Sequence, residues 1–182
     1  MCVKADSWII KMAKEYNMIE PFEEQLISRD VFSYGVSSYG YDLRIDRKIM
    51  RLKLMTEIDA KKIKTSSYRE EGSDEIIIMG GETIIGKSVE YFRMPRNVIG
   101  LCFGKSSYAR LGVFVNITPL EPEWEGYITM AIYNSNRSQI KIYSGEGIAQ
   151  VIFVGASEEC KVSYKDRKGK YQAQKDIEVT KV

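Results

Sequence analysis

The chain has 182 residues, long enough for one well-packed domain, and its 27 Lys and Arg against 25 Asp and Glu leave a net charge of only +2. That balance gives no argument for a nucleic-acid partner. The absence of any histidine excludes a histidine general base and every histidine-containing metal site. Cys2, Cys102 and Cys160 are widely separated and lack CxxC spacing, so they supply neither four zinc ligands nor a paired disulfide framework.

In chain order, the first predicted element is an amphipathic helix from Asp6 to about Tyr16. Trp8, Ile9, Met12, Ala13 and Tyr16 recur near helical spacing, and Asp6 can cap the start. Charges interrupt this apolar run, so it does not read as a secretory signal, and no stretch is long and apolar enough for a membrane span. A cytoplasmic chain without a membrane partner is expected. After Pro21 the pattern becomes one of short apolar or alternating runs. They fall at Tyr41–Ile45, Ile49–Leu54, Glu75–Met79, Thr83–Ile85, Val98–Phe103, Val113–Ile117, Tyr127–Tyr133, Ile140–Tyr143 and Ile148–Val154. Such spacing predicts an all-β sandwich or barrel, and the lack of long crossover helices disfavours a doubly wound α/β fold. No P-loop and no GxGxxG is present. Residues 1–182 read as one domain, with 164–182 as a charged tail expected either to be disordered or to fold over a ligand.

The segments with the most chemistry lie in the second half. Between Gly104 and Gly112, Ser106 and Ser107 offer hydroxyls, Lys105 a point charge and Arg110 a planar donor fork, on a stretch able to form a short helical turn. This suits a polyanion, although serines beside cations also occur in ordinary turns. The turn Leu120–Gly126 carries Glu121, Glu123 and Glu125 around Pro122 and Trp124. It can bring Glu121 towards Arg110 or a magnesium-linked water, or form a surface hairpin with a packed tryptophan. In the following strand, Tyr127, Thr129, Ala131 and Tyr133 share one face.

Taken together and in this order, the segments Ser38–Arg44, Gly104–Gly112, Pro119–Gly126, Gly145–Gln150 and Gly169–Gln174 resemble the dCTP deaminase family of the trimeric dUTPase-like superfamily. The resemblance implies a distorted β-barrel or jelly-roll (β-clip) with an N-terminal helix, assembled as a homotrimer with sites between subunits. It implies zinc-independent conversion of dCTP and water to dUTP and ammonia, with Mg2+ brought by the triphosphate. Ser106, Arg110 and Glu121 are the catalytic-site residues it implies. Lys105, Ser107, Gln150, Tyr164, Lys170, Tyr171 and Gln174 are implied to hold the nucleotide or close the tail over it. It also implies a glutamate ten residues after Glu121, as the general acid/base, where this chain has Ala131. A methyl group can neither accept nor deliver a proton, so strongly impaired deamination is expected. Both an engineered replacement and a divergent homologue fit that reading. Two alternatives stand beside it: a bifunctional enzyme that also cleaves dUTP to dUMP and pyrophosphate, and a non-catalytic nucleotide sensor.

Overall fold

A computed structural model describes residues 2–55 and 57–181. In chain order the elements are β1 (Cys2–Val3), α1 (Asp6–Tyr16), β2 (Ile19–Glu20), β3 (Gly35–Ser37), β4 (Gly40–Leu52), a 3-10 turn (Thr65–Ser67), β5 (Tyr68–Gly72) and β6 (Glu75–Ile78). They continue with β7 (Thr83–Arg93), β8 (Val98–Gly104), α2 (Ser106–Arg110), β9 (Val113–Asn116), β10 (Glu125–Asn134), β11 (Ile140–Tyr143) and β12 (Gly147–Gly155). The expected all-β barrel with an N-terminal helix is what the chain forms. No helix among the described residues is long and apolar enough to cross a membrane.

The sheet runs β1-β12-β4-β7-β10-β9, with β8 also on β12, β3 and β5 on β4, and β2 on β7; β6 and β11 form a separate two-stranded sheet. β4 joins the two halves of the barrel. Its first residues pair with β12 and its later ones with β7, with a register shift between Ile45 and Ile49. The sequence pattern divides this strand into two runs because Arg47 and Lys48 interrupt the apolar alternation; in the structure they sit at that irregularity within one continuous strand.

Helix α1 begins where the periodicity placed it, but Ala5 is the N-cap, with extended φ and ψ, and Asp6 is already inside the first turn. Asp6 Oδ1 accepts from the Ser7 amide at 2.6 Å and still complements the helix dipole. Ile9 and Ala13 bury the helix against the barrel, while Tyr16 remains exposed. The interior is dominated by Tyr41, Leu43, Ile45, Phe92, Met130, Ile132 and Phe153.

A buried ion pair crosses this apolar interior between β4 and β7. The Glu90 side chain on β7 is 0 % exposed and accepts from Arg44 Nε at 2.7 Å and from the Arg44 amide at 3.0 Å. The Arg44 guanidinium in turn lies over the Tyr34 ring, 4.7 Å from its centroid. Burial holds the Glu90 carboxyl above the usual carboxylate range, against the opposing pull of Arg44.

Candidate active site

The Gly104–Gly112 segment leaves the end of β8 and forms α2, so its residues start from a rigid strand. Ser106, Ser107 and Arg110 are exposed, and Arg110 Nη1 donates to the Ser106 carbonyl at 3.0 Å. Lys105, just before the helix, turns inward. Its ammonium pairs with Asp42 and donates to Ser33 Oγ at 2.9 Å. Gln150, on β12, donates from Nε2 to Asp42 Oδ1 at 2.9 Å and to Ser37 Oγ at 3.1 Å. Asp42, 4 % exposed, thus gathers two of the expected phosphate-facing side chains, one from the start of α2 and one from β12. The adjoining turn is fixed by Gly147, whose amide donates to the Phe32 carbonyl at 3.0 Å. A Cβ there would lie 1.8 Å from the Ser33 carbonyl oxygen, which only glycine avoids.

A second group of residues encloses a cleft of about 520 Å³. One wall is the acidic turn, through Glu121 and Trp124. Its floor includes Ile85 and Thr129, and the tail covers it with Tyr164, Lys170, Tyr171 and Gln174. The turn holds its shape because Trp124 is buried and donates from Nε1 to the Tyr171 carbonyl at 2.9 Å. The Glu121 carboxylate pairs with Arg167, which lies over the Tyr164 ring, 5.2 Å from its centroid. Within the chain, the cationic partner of Glu121 comes from the tail, where the sequence offered Arg110 as one candidate.

The tail over 164–181 is built onto the barrel by specific bonds. Tyr164 accepts the Tyr171 amide on its hydroxyl at 3.0 Å, and its own amide donates to the Pro122 carbonyl at 3.0 Å. Gln174 bridges to Gly126 in parallel, accepts from the Tyr127 amide at 3.0 Å, and donates from Nε2 to the Tyr127 carbonyl at 3.0 Å and to Thr129 Oγ1. Asp176 then pairs with Lys48 at 2.6 Å.

Ala131 lies on β10, where burial alternates residue by residue: Ile128, Met130 and Ile132 face the interior, while Tyr127, Thr129 and Ala131 face outward. Its cross-strand partner on β7 is Ile85. Both Ile85 and Thr129 line the cleft; Ala131 is their neighbour on the same face of the sheet and is not itself one of the lining residues. Opposite Ala131 on the other side runs Asn116 of β9, the strand that follows α2.

Among the described residues, no hydrogen bond or ion pair links the side chains of α2 to the cleft. Cys102 offers no nucleophile, because burial pushes its thiol up to about 12. No group of three or more acidic or thiol side chains converges as a metal site among the described residues. Arg167 and Asp42 bond to candidate site residues, and the sequence assigned neither a role. Arg167 lay in the charged tail expected to be disordered or to fold over a ligand, and Asp42 stood in a matched segment whose partners are far away in the chain.

A family profile described as dCTP deaminase-like matches residues 3–156. The dCTP deaminase of Nitrosomonas eutropha is 47 % identical over 188 aligned positions that span all of both chains. The chain belongs to the dCTP deaminase-like family. The dCTP deaminase of Methylacidiphilum infernorum is 48 % identical over 189 positions, again across all of both chains. A crystal structure of 2'-deoxycytidine 5'-triphosphate deaminase from Agrobacterium tumefaciens superposes with a TM-score of 0.63 at 19 % identity, covering 83 % of this chain and 47 % of that longer one. At that identity the match speaks for the fold, and it places the family's barrel in this chain.

Proposed function

We propose that this chain is a dCTP deaminase scaffold that grips a deoxynucleoside triphosphate but turns it over poorly, because Ala131 stands where the proton-transferring glutamate belongs. The observation that carries this reading is the position of Ala131. It shares the outward face of β10 with Thr129 and pairs with Ile85, both of which line the cleft. Hydrolytic deamination requires a base to take a proton from water as it attacks C4 of the pyrimidine, and an acid to protonate the ring and the departing ammonia. A glutamate at 131 would reach into the cleft for both tasks. The methyl group reaches nothing and carries no charge.

The remaining assignments follow from what each side chain offers. Tyr171 and Gln174 close over the deoxynucleotide with Glu121 at the opposite wall, and Tyr164 and Lys170 meet its phosphates. Ser106, Ser107 and Arg110 point outward from the chain, away from any partner in the cleft. They complete the site of a neighbouring copy in a homotrimer, where Ser106 and Arg110 orient water and the reacting ring and Ser107 addresses phosphate; Lys105 and Gln150 would address phosphate by exchanging their bonds to Asp42 for it. Magnesium would come with the triphosphate and neutralise its charge; a chain without histidine or clustered cysteines has no donor set for a catalytic zinc. Pyrophosphate release from dUTP would fall to Glu121. Its carboxylate is committed to Arg167, which favours the deaminase reading over the bifunctional one.

Titration calorimetry with magnesium dCTP and magnesium dUTP, alongside ammonia and pyrophosphate assays on the same preparation, tests the proposal. It expects binding of both nucleotides with ammonia release at or near background. Absence of binding to either nucleotide, or rapid ammonia release, would overturn it.

A further inference from the structure

One side chain outside the matched segments and outside the cleft joins the acidic turn to the start of the tail. Arg96 lies between β7 and β8. Its Nη1 is 2.5 Å from Glu123 Oε2 and its Nη2 is 2.8 Å from Asp166 Oδ2. Nη2 also donates to the carbonyls of Cys160 and Lys161, each at 3.3 Å. Two carboxylates and two carbonyls from two separate segments thus converge on one planar donor fork, which a lysine point charge could not serve at once.

Each carboxylate is itself part of a built turn. Asp166 accepts from the Ser163 amide at 3.0 Å, and the Asp166 amide donates to Ser163 Oγ at 3.1 Å. Glu123 sits at φ 59 within the acidic turn, and its carbonyl accepts from Gln172 Nε2 at 3.1 Å. Hydrogen bonds from Ser163, with the Arg96 guanidinium, hold Asp166 below the usual carboxylate range, so the pair stays charged at neutral pH. Two residues that line the cleft, Glu121 and Tyr164, and Arg167, the ion-pair partner of Glu121, sit beside these anchors. Glu121 lies two positions before Glu123, and Tyr164 and Arg167 flank Asp166.

We propose that Arg96 is a positioning residue for the nucleotide cleft: it clamps the first turn of the tail onto the acidic turn and so sets where Glu121, Tyr164 and Arg167 stand. The inference rests on the reading of the cleft as the nucleotide site, but the clamp itself can be tested without nucleotide. The barrel core makes no use of Arg96, so its removal loosens the tail rather than the fold.

Arg96→Met in the full chain keeps the aliphatic stem and removes the fork. Trypsin should then cut the tail between Lys165 and Lys170 roughly three- to tenfold faster without nucleotide, as expected for loss of a partly exposed charge network. Affinity for magnesium dUTP should fall by a similar factor, while the melting temperature stays within about 2 °C. Arg96→Lys should recover less than half of the loss. Asp166→Asn should show part of the effect alone and add nothing to Arg96→Met, the coupling expected of direct partners. If Arg96→Met melts early, Asp166→Asn carries the comparison. Tail cleavage at the unmodified rate in these variants would overturn the clamp. An unmodified chain that binds no nucleotide would instead remove the functional reading of the cleft, and the cleavage rates would still decide the clamp.

Discussion

Gly126→Ala is the substitution that separates the tail from the barrel most sharply. Gly126 has φ 150 and lies against Gln174; a Cβ there would stand 2.9 Å from Gln174 Cβ and 3.0 Å from its backbone N and O. An L-residue at such φ costs about 1–3 kcal/mol, and the contact adds to this unless something moves. At Gly126, β10 is held on one side by its ladder with β7, where Gly126 pairs with Phe92, whereas the tail meets it on the other side at a single bridge. The tail is therefore the part that yields. Its departure gives up the bonds between Gln174 and Tyr127 and the one to Thr129, each contributing about 0.5–1.5 kcal/mol. A loss of about 3 kcal/mol raises the open-tail population by about two orders of magnitude. Hydrogen exchange of the amides from 164 to 178 is the assay. Protection there should collapse while the β7, β10 and β12 amides keep theirs, and nucleotide affinity should fall in parallel. A variant whose tail amides exchange as slowly as in the unmodified chain would refute the reasoning.

Two further substitutions test the packing beneath and beside the site. Arg44→Met leaves the Glu90 carboxylate buried without its partner and should cost about 3–5 kcal/mol at neutral pH. Burial already raises the folded-state value of Glu90, and loss of the guanidinium raises it further, so the penalty is absent below the unfolded value of about 4.3 and grows as pH rises through the folded one. Urea melts at pH 5 and pH 8 should show the larger loss at pH 8; equal losses would contradict the assignment. Ala173 sits at φ 55, just before Gln174, so Ala173→Gly should relieve left-handed strain and stabilise tail docking by up to about 1 kcal/mol, read as slower exchange at the Tyr127 amide, which donates to the Gln174 carbonyl.

The barrel was legible in the sequence because half-buried strands write their burial as alternation. β10 reads inward at Ile128, Met130 and Ile132 and outward at Thr129 and Ala131, as the period predicts. Ile140–Tyr143 was placed to the residue. β5, Tyr-Arg-Glu-Glu-Gly, was not legible: it is a largely exposed polar strand with no apolar face to betray it. The pairings that organise the site were hidden for a different reason. Asp42 meets Lys105 and Gln150, Arg44 meets Glu90, and Glu121 meets Arg167 across 46 residues or more, and no local period carries such information. The contacts of Arg167 were hidden in the charged tail because its partners, Glu121 and the Tyr164 ring, come together only when the tail folds back on the acidic turn.

The role proposed for position 131 is tested most directly by Ala131→Glu. Ammonia release from dCTP should rise by about 10²–10⁴ over the alanine-bearing chain, with dUTP affinity little changed, because the substitution supplies a base without touching the tail or α2. Equal, background-level release from both proteins despite nucleotide binding, or rapid release from the alanine-bearing chain itself, would contradict the account.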